Sequence, residues 1–132
     1  MSVTNGFKVT STRISDVAVL YPQGYLNNIA GENLVKECTA CLESDVRKVV
    51  LNFRETDYIN TIGISMLLGI IEKLREAGGT LCFTEMSKTY SETFEMLGLT
   101  KFILVFPDEN AAIKYLSDGN THGRGNRDGG VC

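Results

Sequence analysis

Short apolar runs alternate along the chain with longer stretches whose apolar residues recur at helical spacing. Phe7–Ile14 and Val17–Tyr21 read as two strands, and Ser15-Asp16 between them predicts a hairpin turn. Pro22-Gln23-Gly24 carries turn chemistry, after which Tyr25-Leu26 leads to a helix from about Ala30 to Leu42. Strand Lys48–Phe53, helix Ile62–Ala77 ending before Gly78-Gly79, and strand Thr80–Thr84 follow. Ser87 is a suitable N-cap for a third helix in which Tyr90, Phe94 and Leu97 share one face and Gly98 is the stop. A last strand, Phe102–Phe106, precedes Pro107 and a short helix around Asn110–Leu116. The order ββαβαβαβα predicts an α/β domain, a central sheet whose later strands are joined by right-handed crossovers.

The helix after Gly63 divides its apolar residues between two arcs. At about 100° per residue, Ile64, Leu67, Leu68, Ile71 and Leu74 fall together and are expected in the core. Ile62, Met66 and Ile70 fall near the opposite side and are expected to face outward. Such a strip beside Asn60 and Thr61 suits a partner-docking surface, and Met suits adaptable contacts. The plainer alternative is that isolated exposed apolar residues are ordinary on any protein surface.

Asn60 and Thr61 stand where this helix begins. A helix start carries unpaired N–H groups and a partial positive charge, so it favours an N-cap oxygen or a bound or attached phosphate. Asn27 and Asn28 occupy the analogous strand-to-helix junction upstream. They suit turn and N-cap chemistry, or they help shape a partner surface.

Composition narrows the function classes. The 132 residues are enough for one domain with a two-layer core, and the net charge of −3 argues against nucleic acid as the main partner. No apolar run is long enough to span a membrane, and no basic-then-apolar leader is present, so a cytoplasmic location is the default expectation. Residues 117–132 are rich in Gly and offer little to bury, which predicts a disordered tail after a domain at 1–116.

Cys38-Thr39-Ala40-Cys41 is formally a C-x-x-C motif, yet Leu34, Cys38, Cys41 and Leu42 fall at i, i+4, i+7 and i+8, which places both sulfurs on the core face. A redox pair uses a helix N-terminus and a zinc site needs two more ligands, so buried thiols are expected rather than redox chemistry or a metal. The only His, His122, lies in the Gly-rich tail, and no phosphate-binding glycine loop is present. The chain is not expected to be an enzyme, and no cofactor is expected.

From Val49 to Gly79 the chain resembles the STAS domains of bacterial anti-sigma factor antagonists. Those have a hydrophobic strand, an Asp-Ser-Ser/Thr-Gly-Leu turn and a helix ending in Gly-Gly. The turn here reads Asn60-Thr61-Ile62-Gly63-Ile64. Gly24-Tyr25-Leu26-Asn27 is similar to the family's Gly-Glu-Leu-Asp, and Phe94-Glu95-Met96-Leu97-Gly98-Leu99 followed by Phe102 to its late helix and last strand. The likeness covers roughly residues 8–116 and implies a mixed sheet with helices packed mainly on one face. It also implies that the chain binds an anti-sigma factor that is a serine/threonine kinase, and is switched off by phosphorylation at Thr61. A protein phosphatase would reverse the switch. Asn60, Thr61, Ile62, Gly63, Met66, Ile70 and Asn27 are the expected partner-binding residues. Asn60 replaces the family's Asp and Ile62 its second hydroxyl residue. These departures leave open a non-phosphorylated interaction module, such as a subunit of a lipid-transport complex or a signalling scaffold.

Overall fold

A computed structural model of the protein describes residues 8–117. The tail beyond, with Cys132 and His122, lies outside the described residues, as does Phe7. Strands β1 (Lys8–Ile14) and β2 (Val17–Leu26) form the hairpin, with Ser15 at φ 58° in its turn. Helix α1 (Asn28–Glu43), strand β3 (Lys48–Asn52), strand β4 (Thr56–Ile59) and helix α2 (Thr61–Glu76) follow. Strand β5 (Thr80–Thr84), helix α3 (Lys88–Met96), a 3-10 turn at Leu99–Lys101, strand β6 (Leu104–Phe106) and helix α4 (Glu109–Ser117) complete the chain.

The sheet runs β1-β2-β3-β5-β6, antiparallel at the hairpin and parallel elsewhere. Val49 and Leu51 point into a core beneath α1, α2 and α3 that includes Leu34, Leu67 and Phe94. Val50 points the other way, into a smaller core with Val17, Val19 and Cys82 beneath Ala112 and Leu116 of α4. The centre of the sheet is therefore covered on both faces, which is why Val49-Val50-Leu51 shows no polar alternation. Most of the helical cover lies on one face, as expected.

Strand β4 went unforeseen. It leaves the main sheet order and pairs in parallel with the far end of β2, Tyr25 with Tyr58 and Leu26 with Ile59. Strand β2 accordingly continues to Leu26 instead of turning at Pro22. Its pairing with β3 ends at Leu20 and its pairing with β4 begins at Gly24. Pro22 falls in that gap, where no ladder donor is needed on that side.

Helix α2 is rotated from the expected setting. Its buried residues are Gly63, Leu67, Ile70, Ile71 and Leu74, while Leu68 is 42% exposed. Ile70 is therefore a core residue and not part of an outward strip. The cause is a second neighbour: α2 packs on α1 as well as on the sheet. Met66 is half-buried, and its side chain lies so close over Gly31 of α1 that a methyl group at Gly31 would collide with Met66 Cβ and Cγ. Met66 and Ile70, one turn apart, thus share the flank turned to α1.

Smaller corrections have similar causes. In α3, Tyr90 and Phe94 turn inward but Leu97 is the exposed C-cap residue. Phe102 ends the 3-10 turn, half-exposed, with the Arg75 guanidinium 5.1 Å from its ring centroid, and β6 begins only at Leu104. Cys38 is fully buried, whereas Cys41 is only half-buried, near the edge of the core face.

Candidate functional site

The ends of β2 and β4 bring two helix starts side by side. Leu26 and Ile59 are register partners, and each is followed by an Asn in extended conformation that caps a helix. Asn27 Oδ1 accepts from the Ala30 N–H at 3.0 Å, and Asn60 Oδ1 accepts from the Gly63 N–H at 2.7 Å. The Asn60 N–H in turn donates to the Leu26 carbonyl at 3.1 Å. Gly63 lies flush on that same peptide: a Cβ there would overlap the Leu26 carbonyl oxygen and sit 3.0 Å from its carbon. The first turn of α2 is thus laid directly on the end of β2, which only glycine allows.

Thr61 is the first residue of α2 and is exposed. Its hydroxyl has no hydrogen bond among the described residues, and its carbonyl accepts from Ser65 Oγ at 3.3 Å. Asn60 occupies the Gly63 N–H, so the N–H groups of Thr61 and Ile62 are left at the positive end of the helix dipole. No acidic residue lies in the first turn of α2.

An apolar rim surrounds this point. Ile62 is 49% exposed and Ile29, in the first turn of α1, 65%. Tyr25 and Tyr58 stand on the strand ends with ring centroids 5.1 Å apart, edge to face. The structure therefore joins Asn27, Asn60, Thr61, Ile62 and Gly63 at one end of the molecule, sets Met66 half-buried beside them, and removes Ile70 to the core. Ile29, Tyr25 and Tyr58 were not anticipated. The signal for the two tyrosines was available: each precedes a buried strand-end residue, so alternation turns it outward.

The thiols sit apart from this surface. Burial pushes Cys38 and Cys82 up to about 12, and burial, then the Glu37 charge, raises Cys41 as well. Such groups stay protonated near neutral pH, whereas redox chemistry and metal binding use the thiolate. Among the described residues no three His, Cys, Asp or Glu side chains are grouped as metal ligands. None of the described helices is long and apolar enough to cross a membrane.

Comparison with known proteins gives a consistent result. The profile of the STAS domain family matches residues 8–112. A protein of Bordetella bronchiseptica named "Putative anti-sigma factor antagonist BtrV" is 31% identical over 104 residues, which cover 79% of this chain and 87% of that protein. The anti-sigma factor antagonist SpoIIAA in its unphosphorylated form superposes with a TM-score of 0.67 at 18% identity, over 86% of this chain and 98% of that one. The Bacillus cell fate determinant SpoIIAA in its phosphorylated form gives a TM-score of 0.65 at 19% identity, over 83% of this chain and 98% of that one.

Proposed function

The chain belongs to the STAS domain family, and on that premise we propose that it is an anti-sigma factor antagonist controlled by phosphorylation at Thr61. A relative is named an anti-sigma factor antagonist, and SpoIIAA, which shares the fold, has structures in unphosphorylated and phosphorylated forms. In this reading the unmodified protein binds, in the cytoplasm, an anti-sigma factor that is also a serine/threonine kinase. The kinase then modifies Thr61 and is released, and a protein phosphatase resets the cycle. The activity is binding and not catalysis.

The observation that carries the reading is the setting of Thr61. Its hydroxyl is exposed and unengaged, at a helix start with free N–H groups and no carboxylate in the first turn. A phosphate adds about −1.5 to −2 charges at neutral pH. The helix start would hold it with roughly 0.3–1 kcal/mol at an exposed position. Modification therefore leaves the fold intact. The same group brings charge and a tight hydration shell into the apolar rim of Ile29, Ile62, Tyr25 and Tyr58, and so disfavours docking there.

The test is phosphopeptide mapping after incubation with the co-purifying kinase and ATP, with partner affinity measured in parallel. Thr61→Glu should bind the partner at least tenfold more weakly with unchanged thermal stability. Thr61→Ala should bind and resist modification. If Thr61 stays unmodified and Thr61→Glu binds normally, Thr61 is only the first residue of a helix and the chain is a non-phosphorylated interaction module.

A further inference from the structure

Next to the Thr61 surface, where β4 diverges from β3, a cleft of about 350 Å³ opens between β4 and the start of α3. Its base is apolar, formed by Phe53, Ile59 and Met86, and its rim carries Arg54, Asp57 and Glu85. Tyr90 forms a fixed wall, since its hydroxyl accepts from the Ile59 N–H at 2.9 Å. The charged groups sum to about −1, two carboxylates against one guanidinium.

Glu85 is the unusual member. It has φ 59°, left-handed backbone that is strained for a residue with a side chain. Ser15 and Asp45 share that conformation, but they sit in the hairpin turn and just after α1, where such a turn is local chain reversal. Glu85 instead follows a parallel strand, and it lines the cleft. One oxygen accepts from the Glu109 N–H at 2.9 Å. The other faces Arg54 Nη1 across 3.9 Å, beyond hydrogen-bond range, although the side chain is only 19% exposed. A largely buried carboxylate is thus held in strained backbone, one oxygen hydrogen-bonded to Glu109 and the other in a long ion pair with Arg54.

We infer that this cleft receives a basic side chain, arginine or lysine, from the partner protein that docks on the Thr61 surface. The inference rests on the proposed docking role, and it adds the chemistry that the partner must bring. Apolar base and carboxylate rim match the two halves of such a side chain, its methylene stem and its charged head. Cleft and docking surface are continuous, because Asp57 and Ile59 line the cleft while Tyr58 between them belongs to the exposed tyrosine pair. An anion is the poorer match. The carboxylates outnumber Arg54, and Ser87 Oγ at the start of α3 already accepts from the Tyr90 N–H at 3.2 Å.

The probe is N-acetyl-arginine methylamide, titrated into the full chain at low salt and followed by amide chemical shifts. Saturable shifts are expected at Asp57, Ile59, Glu85, Ser87 and Tyr90, and not at Thr61. Glu85→Gln keeps an acceptor for the Glu109 N–H and should weaken binding at least fivefold, as should Asp57→Asn. Glu55→Gln removes a carboxylate just outside the cleft and should leave binding within twofold. Absence of saturable shifts, an equal effect of Glu55→Gln, or the same shifts with inorganic phosphate would overturn the assignment. None of these results depends on the kinase, so failure here leaves the Thr61 experiment standing, and the converse also holds.

Discussion

One substitution made at two places in α2 tests the packing that sets the site. Gly63→Ala puts a methyl group into the Leu26 carbonyl oxygen, with the carbonyl carbon at 3.0 Å and Ile59 Cγ2 at 3.2 Å. Two of those three neighbours are backbone held by the β2–β4 ladder, so α2 must lift and its Asn60–Gly63 cap bond must stretch. Overpacking of this kind costs about 1–3 kcal/mol, and a backbone obstacle puts the value toward the upper end. Gly69→Ala, two turns later on the exposed side, meets nothing within 4 Å. There the higher helix propensity of alanine should stabilise by about 0.5–1 kcal/mol. The two variants should therefore differ by about 3 kcal/mol, with opposite signs relative to wild type. Urea unfolding at constant m-value reads the difference directly, and in a domain of this size roughly 4 °C of midpoint shift accompanies each kcal/mol. Gly63→Ala at wild-type stability or above would mean that α2 does not rest on the end of β2, and the geometry drawn for Thr61 would go with it.

Leu68→Asp should keep the fold, because Leu68 is 42% exposed, whereas Ile70→Asp should unfold the domain by burying an unpaired charge; circular dichroism melts showing the reverse order would refute the rotation of α2. A thiol reagent should label Cys41 ahead of Cys38 and Cys82, which should react only on unfolding. The thiols also set an alkaline limit. Folded values of about 12 for Cys38 and Cys82 lie above an unfolded value of about 8.5, so the folded state retains protons that the unfolded chain gives up. Stability is unaffected below about pH 8.5 and falls from there towards about pH 12, by up to about 1.4 kcal/mol per pH unit for each thiol. Tyr21, raised to about 12 by burial and then by its bond to Glu109, adds to the fall above about pH 10. Urea midpoints at about pH 8 and pH 10 should separate for wild type and converge for Cys38→Ala/Cys82→Ala; an unchanged separation would count against buried, protonated thiols.

The start of α2 and the doubly buried strand β3 upstream of it were legible because each has a local cause, an Asn cap followed by a glycine and an unbroken apolar run. The rotation of α2 was not, because a hydrophobic arc assumes a single contact face and this helix has two. The sequence marks Gly63 as part of the turn but does not name its neighbour, the Leu26 carbonyl at the end of β2. Strand β4 escaped notice because Thr56-Asp57-Tyr58-Ile59 is too short for alternation to stand out and its partner is the end of a distant strand. With β4 missing, Tyr25 and Tyr58 could not be paired, nor could the cleft behind them be seen. Ile29 gave no signal because the sequence places the helix start at about Ala30, whereas Asn27 caps a helix that begins at Asn28 and so carries Ile29 in its first turn.

The hydroxyl of Tyr90 has a consequence beyond the wall it builds. Strand β4 is hydrogen-bonded to β2 along one edge only, and the N–H and C=O of Ile59 point away from that partner. A single phenol oxygen meets both, accepting from the N–H at 2.9 Å and donating to the carbonyl at 3.4 Å. It stands where the peptide of another strand would otherwise sit, so the open edge offers no template for strand addition. Tyr90→Phe would leave the fold in place and strip a donor and an acceptor on the unpaired edge of β4 of their partner. Self-association that rises with protein concentration, measured by light scattering, is the expected outcome, and a variant that stays monomeric would show that the hydroxyl guards nothing. The residue that shapes a recognition surface would thereby also keep copies of the chain from recognising one another.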